Sequence, residues 1–255
     1  LEILNKNFNL MIDRLKTQQE KLIINERHEA WGSLARKLAH ENKNTLTPIQ
    51  LTKDRLREKY SNLCKEKDSE NFKDNLKIIN NQIKQIGNLV NEFSDFARMP
   101  KPTLRENNLV HLLKENIKLL KELDNSIEID LSSNAEKIIL NSDKEQISRV
   151  FLNLIKNSIE SIQQKVENDS NFNKKITIEL TENDGHINLV IVDNGIGFGK
   201  FSENIKDILN PYITTKKNGT GLGLSIVNKI INDHNGKIEF IPRNDGAEIK
   251  INFVK

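Results

Sequence analysis

VDNGIGF, residues 192–198, closes the apolar run INLVIV (187–192) and sets Asp193 where a strand ends. A carboxylate there can accept a hydrogen bond from an exocyclic amine, and Gly195 and Gly197 let the backbone approach a flat ring closely. An ordinary Asp-Asn-Gly turn reads the same way in isolation, so the neighbouring stretches decide. Upstream, NLIKN (153–157) falls on a helix predicted to begin near Asp143. The four-residue step puts Asn153 and Asn157 one turn apart on one face, two neutral oxygen donors for one ligand. A hard cation such as Mg²⁺ needs only one or two protein oxygens when a nucleotide supplies the negative charge. Downstream, GTGLGLS (219–225) places Gly219, Gly221 and Gly223 immediately before a helix, where free backbone N–H groups make a seat for phosphate. Each stretch alone is weak; their order along one chain is a strong signal.

The surrounding pattern supplies the scaffold. IEIDL (127–131), KIIL (137–140), KITIEL (175–180), INLVIV, KIEF (237–240) and EIKINF (248–253) read as strands, with helices predicted near 107–123, 143–166 and 221–234. The expectation is a mixed α/β layer. Within 199–220, KKNGTG is polar and glycine-bearing enough to form a mobile loop.

Met99-Pro100-Lys101-Pro102 marks the near end of this region, because two prolines one residue apart cannot continue a helix. Before it the periodicity is helical. Leu1, Leu4, Phe8, Met11, Leu15 and Leu22 form a coiled-coil seam, and a second runs through Leu76, Ile79, Ile83, Ile86, Val90, Phe93 and Ala97. Leu34, Leu38, Ile49 and Leu56 lie on a helix carrying LAHENKNTLTPIQ (38–50), in which His40 stands beside Glu41. Two such helices joined around 61–70 make an antiparallel hairpin whose seams can pair in a dimer as a four-helix bundle.

Composition excludes several classes. The 255 residues carry 39 basic and 36 acidic side chains, interleaved, for a net charge of +3, so no polybasic face points to nucleic acid. The single cysteine, Cys64, rules out a disulfide framework within one chain. No stretch approaches the roughly 18 consecutive apolar residues of a membrane span. The chain opens on Leu1 rather than methionine, which raises the expectation of an upstream segment.

Taken together, these stretches resemble the sensor histidine kinases of two-component signalling over essentially the whole chain. LAHENKNTLTPIQ is similar to the histidine box, NLIKN to the asparagine box, and DNGIGF and GTGLGLS to the two glycine boxes. FARMPKP (96–102) and PYITTKKNGTGLGLSIV (211–227) most resemble the NtrY-type nitrogen-regulation kinases, and LNKNFNLMIDRLKTQQEKL (4–22) resembles the end of a HAMP linker.

The resemblance implies four segments: a HAMP end over 1–27, a dimerisation and phosphotransfer hairpin over 28–99, a linker over 100–106 and a GHKL-type ATP-binding α/β sandwich over 107–255, with helices on one face of a mixed sheet. It implies that His40 attacks the γ-phosphate of ATP, that Glu41 removes or holds the imidazole proton, and that Asn44 positions water for hydrolysis of the phosphorylated regulator. Asn157, helped by Asn153, would hold Mg²⁺, and Lys156 would reach phosphate. Asp193 would read the adenine amine between Gly195 and Gly197, while Thr215, Lys216, Gly219, Thr220, Gly221, Leu222 and Gly223 would enclose the phosphates. The implied partners are a second copy of the chain and a response-regulator receiver domain. The implied location is the cytoplasmic portion of an inner-membrane sensor, anchored only through a missing N-terminal segment.

Two departures stand in the histidine box: Asn42 where such kinases usually carry an aliphatic residue, and Thr45 where they carry proline. They give weight to an alternative, a kinase-impaired or phosphatase-biased scaffold. A GHKL clamp ATPase fits less well, because Asn153 occupies the place of that class's water-activating glutamate.

Overall fold

The computed structural model describes residues 11–12, 42, 46–60, 66–97, 99–123, 126–166, 172–199, 205–209, 213–214 and 220–255. The chain divides into two compact units, Leu1–Met99 and Pro100–Lys255.

In the first unit the described helices are α1, seen over 46–60, and α2, Glu66–Ala97. The row predicted as one seam on α2 separates into two. Leu76, Ile83 and Val90, seven residues apart, are buried within the unit, whereas Ile79 and Ile86, also seven apart, remain 43% and 45% exposed. Ile49 and Leu56 leave a similar open row on α1. Lys53 is buried to 8% exposure, and its ammonium is satisfied by Asn80 Oδ1 at 2.8 Å on α2 and by Asp54 at 2.9 Å. A buried cation left unpaired would be costly, so this contact fixes the local pairing of the two helices. The reading of 1–27 as a HAMP end and coiled coil lies outside the described residues, apart from helical positions 11 and 12.

In the second unit, β1 (Arg105–Asn108) leads directly into α3 (Leu109–Leu123). There follow β2 (Glu128–Ser133), β3 (Ile139–Ser142), α4 (Lys144–Val166), β4 (Lys175–Asn183) and β5 (His186–Asp193). A 3-10 turn, Ile205–Leu209, precedes α5 (Gly223–Asp233), β6 (Lys237–Pro242) and β7 (Ala247–Val254). The large sheet runs β2-β4-β5-β7-β6, with β2 and β4 parallel and the other pairs antiparallel. β1 and β3 form a separate antiparallel pair.

Alternation explains which face is covered. Ile176, Ile178 and Leu180 on β4 stand opposite Asp193, Ile191 and Leu189 on β5, and all six are buried. Ile249, Ile251 and Phe253 on β7 extend the same layer. The intervening positions are partly or wholly exposed, so the period of two buries one face beneath α3, α4 and α5 and leaves the other wet. Every strand expected from the sequence is present within a few residues.

The boundary is where the expectation shifts. Residues 100–106, read as a linker, belong to the second unit, and 107–108, read as helix, are strand. Arg-Glu-Asn-Asn carries no apolar alternation; its pairing is set by β3, with Asn107 Nδ2 donating to the Ser142 carbonyl at 2.7 Å.

Candidate functional site

α4 is the element on which the site is built. Its first residues are capped by Asp143, whose Oδ1 accepts from the backbone N–H groups of Glu145 and Gln146 at 3.1 Å each. One stripe of the helix, including Ile147, Phe151, Leu154, Ile155 and Ile162, packs into the core. This fixes the rotation of the neighbouring stripe, on which Asn153 and Asn157 sit half-buried, one turn apart. Lys156 lies between them in sequence and is exposed.

Ser158, one residue beyond Asn157, points into the sheet and is 2% exposed; its hydroxyl donates to Asp193 Oδ2 at 3.0 Å. The other carboxylate oxygen accepts from the Gly195 N–H at 3.0 Å. Asp193 is therefore a held acceptor at the end of β5, itself 4% exposed. Burial pushes its carboxyl above the usual range, against the opposing pull of bonds from Gly195, Ser158 and the Ala247 backbone. Each oxygen keeps lone-pair capacity for a donor such as an exocyclic amine.

The two glycines after Asp193 are required by the protein's own packing. A Cβ on Gly195 would lie 2.2 Å from Ser161 Oγ and 2.6 Å from its carbonyl carbon, so the close approach seen here is to α4. Gly197, at φ +69°, would bring a Cβ to 2.6 Å from the Gly246 carbonyl oxygen. Gly246 in turn, at φ +101°, sits where a Cβ would meet the Asp193 carbonyl oxygen at 1.8 Å. The β6–β7 turn thus rests on the backbone of Asp193. Lys165 at the end of α4 adds a tie, donating to the Asn194 carbonyl at 2.9 Å and pairing with Asp245. Asn194 completes the turn by reaching back to β4, accepting from Lys175 N–H at 3.0 Å.

The last glycine stretch closes the site from the other side. Gly221 adopts φ +70°, a left-handed conformation that suits glycine. Leu222 is the buried N-cap residue of α5 and provides no side-chain cap to the helix's first N–H groups. Thr220 Oγ1 accepts from Leu222 N–H at 3.3 Å. A Cβ on Gly223 would stand 3.9 Å from Asn153 Oδ1, which places the start of α5 against the asparagine face of α4.

These residues fit a nucleotide: a carboxylate for the base amine, an uncapped helix start for phosphate and amide oxygens beside it. Among the described residues no three His, Cys, Asp or Glu side chains gather to hold a metal, so a cation would rely on amide and phosphate oxygens. Of the sequence-expected residues, the structure brings together Asn153, Asn157, Asp193, Gly195, Gly197, Gly221, Leu222 and Gly223, with Thr220 at their edge. His40, Glu41, Asn44, Thr215, Lys216 and Gly219 lie outside the described residues. Sequence reading missed Ser158, Ser161 and Gly246; only the Asn-Asp-Gly turn at 244–246 left a visible signal.

The fold and site define the class, an ATP-binding domain of the GHKL type behind a helical phospho-acceptor region. Residues 142–254 match the family of histidine kinase-, DNA gyrase B- and HSP90-like ATPases, and residues 30–102 match the His Kinase A phospho-acceptor domain. With the two domains in this order, the chain belongs to the sensor histidine kinases.

It is 38% identical over 247 residues to the NtrY-like sensor histidine kinase of Rickettsia felis, covering 96% of this chain and 40% of that protein. It is 35% identical over 233 residues to the nitrogen regulation protein NtrY of Azorhizobium caulinodans, covering 91% of this chain and 30% of that protein. The nucleotide-free catalytic domain of histidine kinase ThkA is similar at a TM-score of 0.51 and 29% identity, over 60% of this chain and 95% of that one. ThkA in complex with the response regulator protein TrrA shares the fold at a TM-score of 0.62 and 23% identity, over 95% of this chain and 67% of that one. No helix among the described residues is long and apolar enough to cross a membrane. The reading as a nucleotide-driven clamp is not favoured.

Proposed function

We propose that this chain is the catalytic core of an ATP-dependent protein-histidine autokinase that phosphorylates His40 and passes the phosphoryl group to a response-regulator aspartate, with dephosphorylation of that regulator as a second activity. The observation that carries the reading is the Asp193 carboxylate, fixed by Ser158 and Gly195, on the domain whose uncapped α5 start faces Asn153.

In this mechanism Asp193 accepts from the adenine amine and so selects ATP over GTP. The α5 N–H groups and Lys156 hold phosphate, and Asn157 with Asn153 holds Mg²⁺. When bound, the ion neutralises phosphate charge in the reacting nucleotide. The His40 imidazole attacks the γ-phosphorus as Glu41 takes or holds its proton, and ADP leaves. Thr215, Lys216 and Gly219 serve the phosphates, and Asn44 orients the water that hydrolyses the regulator's aspartyl phosphate, releasing inorganic phosphate. The open apolar rows at Ile79, Ile86, Ile49 and Leu56 support a homodimer through the helical unit. The core works in the cytoplasm as part of a longer membrane-anchored sensor.

A chase experiment tests the proposal. Protein labelled from γ-labelled ATP and Mg²⁺ is freed of nucleotide and mixed with a response-regulator receiver domain. The label should move to the receiver. Label that never leaves the protein would contradict the phosphotransfer assignment.

A further inference from the structure

We propose that Asp143 is a positioning residue that clasps the segment Pro100–Thr103 onto the catalytic unit and so sets the length of the tether between the two units. The proposal rests on the autokinase reading for its kinetic consequence but not for its geometry.

Asp143 does two jobs with two oxygens. Oδ1 caps α4, a task that Ser, Thr or Asn performs equally well. Oδ2 is surplus to the cap, and it accepts from the backbone N–H of Thr103 at 2.9 Å. One turn along α4, Gln146 Nε2 donates to the Pro100 carbonyl at 3.0 Å. Gln146 is 8% exposed and its Oε1 has no hydrogen-bond partner, so this amide is buried with one end unsatisfied while the other end holds Pro100. Pro100 and Pro102 favour an extended chain between the two bonds.

The clasp is also braced from behind. The Asp143 N–H donates to His234 Nε2 at 2.9 Å, which leaves Nδ1 to donate to the Ile230 carbonyl at 2.8 Å. His234 is the C-cap residue of α5, buried to 6%. One residue therefore joins the linker segment, the start of the helix that carries the two asparagines, and the end of the helix that begins at the glycine loop.

With the clasp closed, only residues 98–99 separate the end of α2 at Ala97 from the catalytic unit. With it open, the free stretch runs to the start of β1 at Arg105, residues 98–104. Once a tether spans its two sites, effective concentration falls roughly as the −3/2 power of its length. With a closed clasp that already permits the encounter, lengthening from two residues to seven therefore lowers the meeting of bound nucleotide with His40 by about sixfold.

Asp143→Asn separates the two jobs, because its single oxygen can still cap α4 while its amide presents N–H to the N–H of Thr103. Thr103→Pro removes the donor from the other side, and Thr103→Ala keeps it. The measurements are amide hydrogen exchange at Thr103, ATP affinity, and the initial rate of self-phosphorylation at saturating ATP. We expect a protected Thr103 amide that becomes unprotected in Asp143→Asn. Asp143→Asn and Thr103→Pro should show a rate lowered by about sixfold at unchanged ATP affinity, and Thr103→Ala should match the unmodified protein. A Thr103 amide that exchanges at the unstructured rate in the unmodified protein overturns the clasp. A rate that is unchanged or higher in Asp143→Asn, or that falls only in step with ATP affinity, overturns the tether role. If the unmodified protein does not self-phosphorylate, the autokinase reading fails, while exchange and ATP affinity still decide the clasp.

Discussion

Ser158→Ala removes one hydroxyl from the interior and should be felt at the proposed adenine site. The lost bond, 3.0 Å to Asp193 Oδ2, is made to a carboxylate that is 4% exposed. Hydrogen bonds to charged groups contribute about 1.5–3 kcal/mol, and alanine leaves almost the same volume, so the cost in folding stability should fall in that range. The same change lifts the Asp193 carboxyl further, since burial already raises it and the Ser158 bond is one of the forces opposing that rise. A group raised on folding binds more protons in the native state, so stability falls as pH climbs from its unfolded value, about 3.9, through the folded one. Ser158→Ala should widen that falling window. A carboxylate no longer held on both sides should lose about tenfold in ATP affinity, the equivalent of roughly 1.4 kcal/mol, with little change for GTP. Calorimetric titration with ATP and GTP, beside denaturant unfolding at several pH values, reads all three effects. ATP affinity within twofold of the unmodified protein, in a variant that is correctly folded, would refute the claim that Ser158 holds the base-reading carboxylate.

Further changes test other parts of the structure. Gly246→Ala places a Cβ 1.8 Å from the Asp193 carbonyl at φ +101°, so strain and overlap together should cost on the order of 3 kcal/mol, read as a lowered unfolding midpoint; an unshifted midpoint would contradict the packing. Burial alone would raise the Asp143 carboxyl, but the N–H bonds from Thr103, Gln146 and Glu145 hold it below its ordinary value. The stability it contributes is full above about pH 3.9 and lost as pH falls through the folded value, so the acid limb of an unfolding titration should flatten in Asp143→Asn and not persist unchanged. Ile86→Glu charges an open seam position and should shift the protein to monomer in sedimentation at unaltered ATP affinity; a persisting dimer would exclude that row from the interface.

What could be read from the chain and what could not follow from the range of the forces involved. Strands β4, β5 and β7 are legible because a half-buried sheet imposes a period of two, and Ile176, Ile178 and Leu180 write it directly. The start of α4 near Asp143, the asparagine pair on that helix and Gly221 just before α5 are equally local features, whereas Gly219 lies outside the described residues. β1 was not legible, since its four polar residues become a strand only through pairing with β3. Ser158 was invisible for a related reason. Its partner is 35 residues away, and nothing beside it marks a serine that bonds a carboxylate rather than water. The glycines at 195 and 197 read in sequence as room for a flat ring, and in the fold they also make room for Ser161 and Gly246, a contact that only the assembled layer reveals.

The central claim is that nucleotide held at Asp193 delivers its γ-phosphoryl group to His40. It is tested most directly by mapping the label after incubation with γ-labelled ATP and Mg²⁺, using tryptic digestion at alkaline pH. The account predicts acid-labile, base-stable phosphate confined to LAHENK, residues 38–43, absent in His40→Ala and sharply reduced in Asp193→Asn. Phosphate that is stable to acid, lies on another peptide or persists in His40→Ala would contradict it.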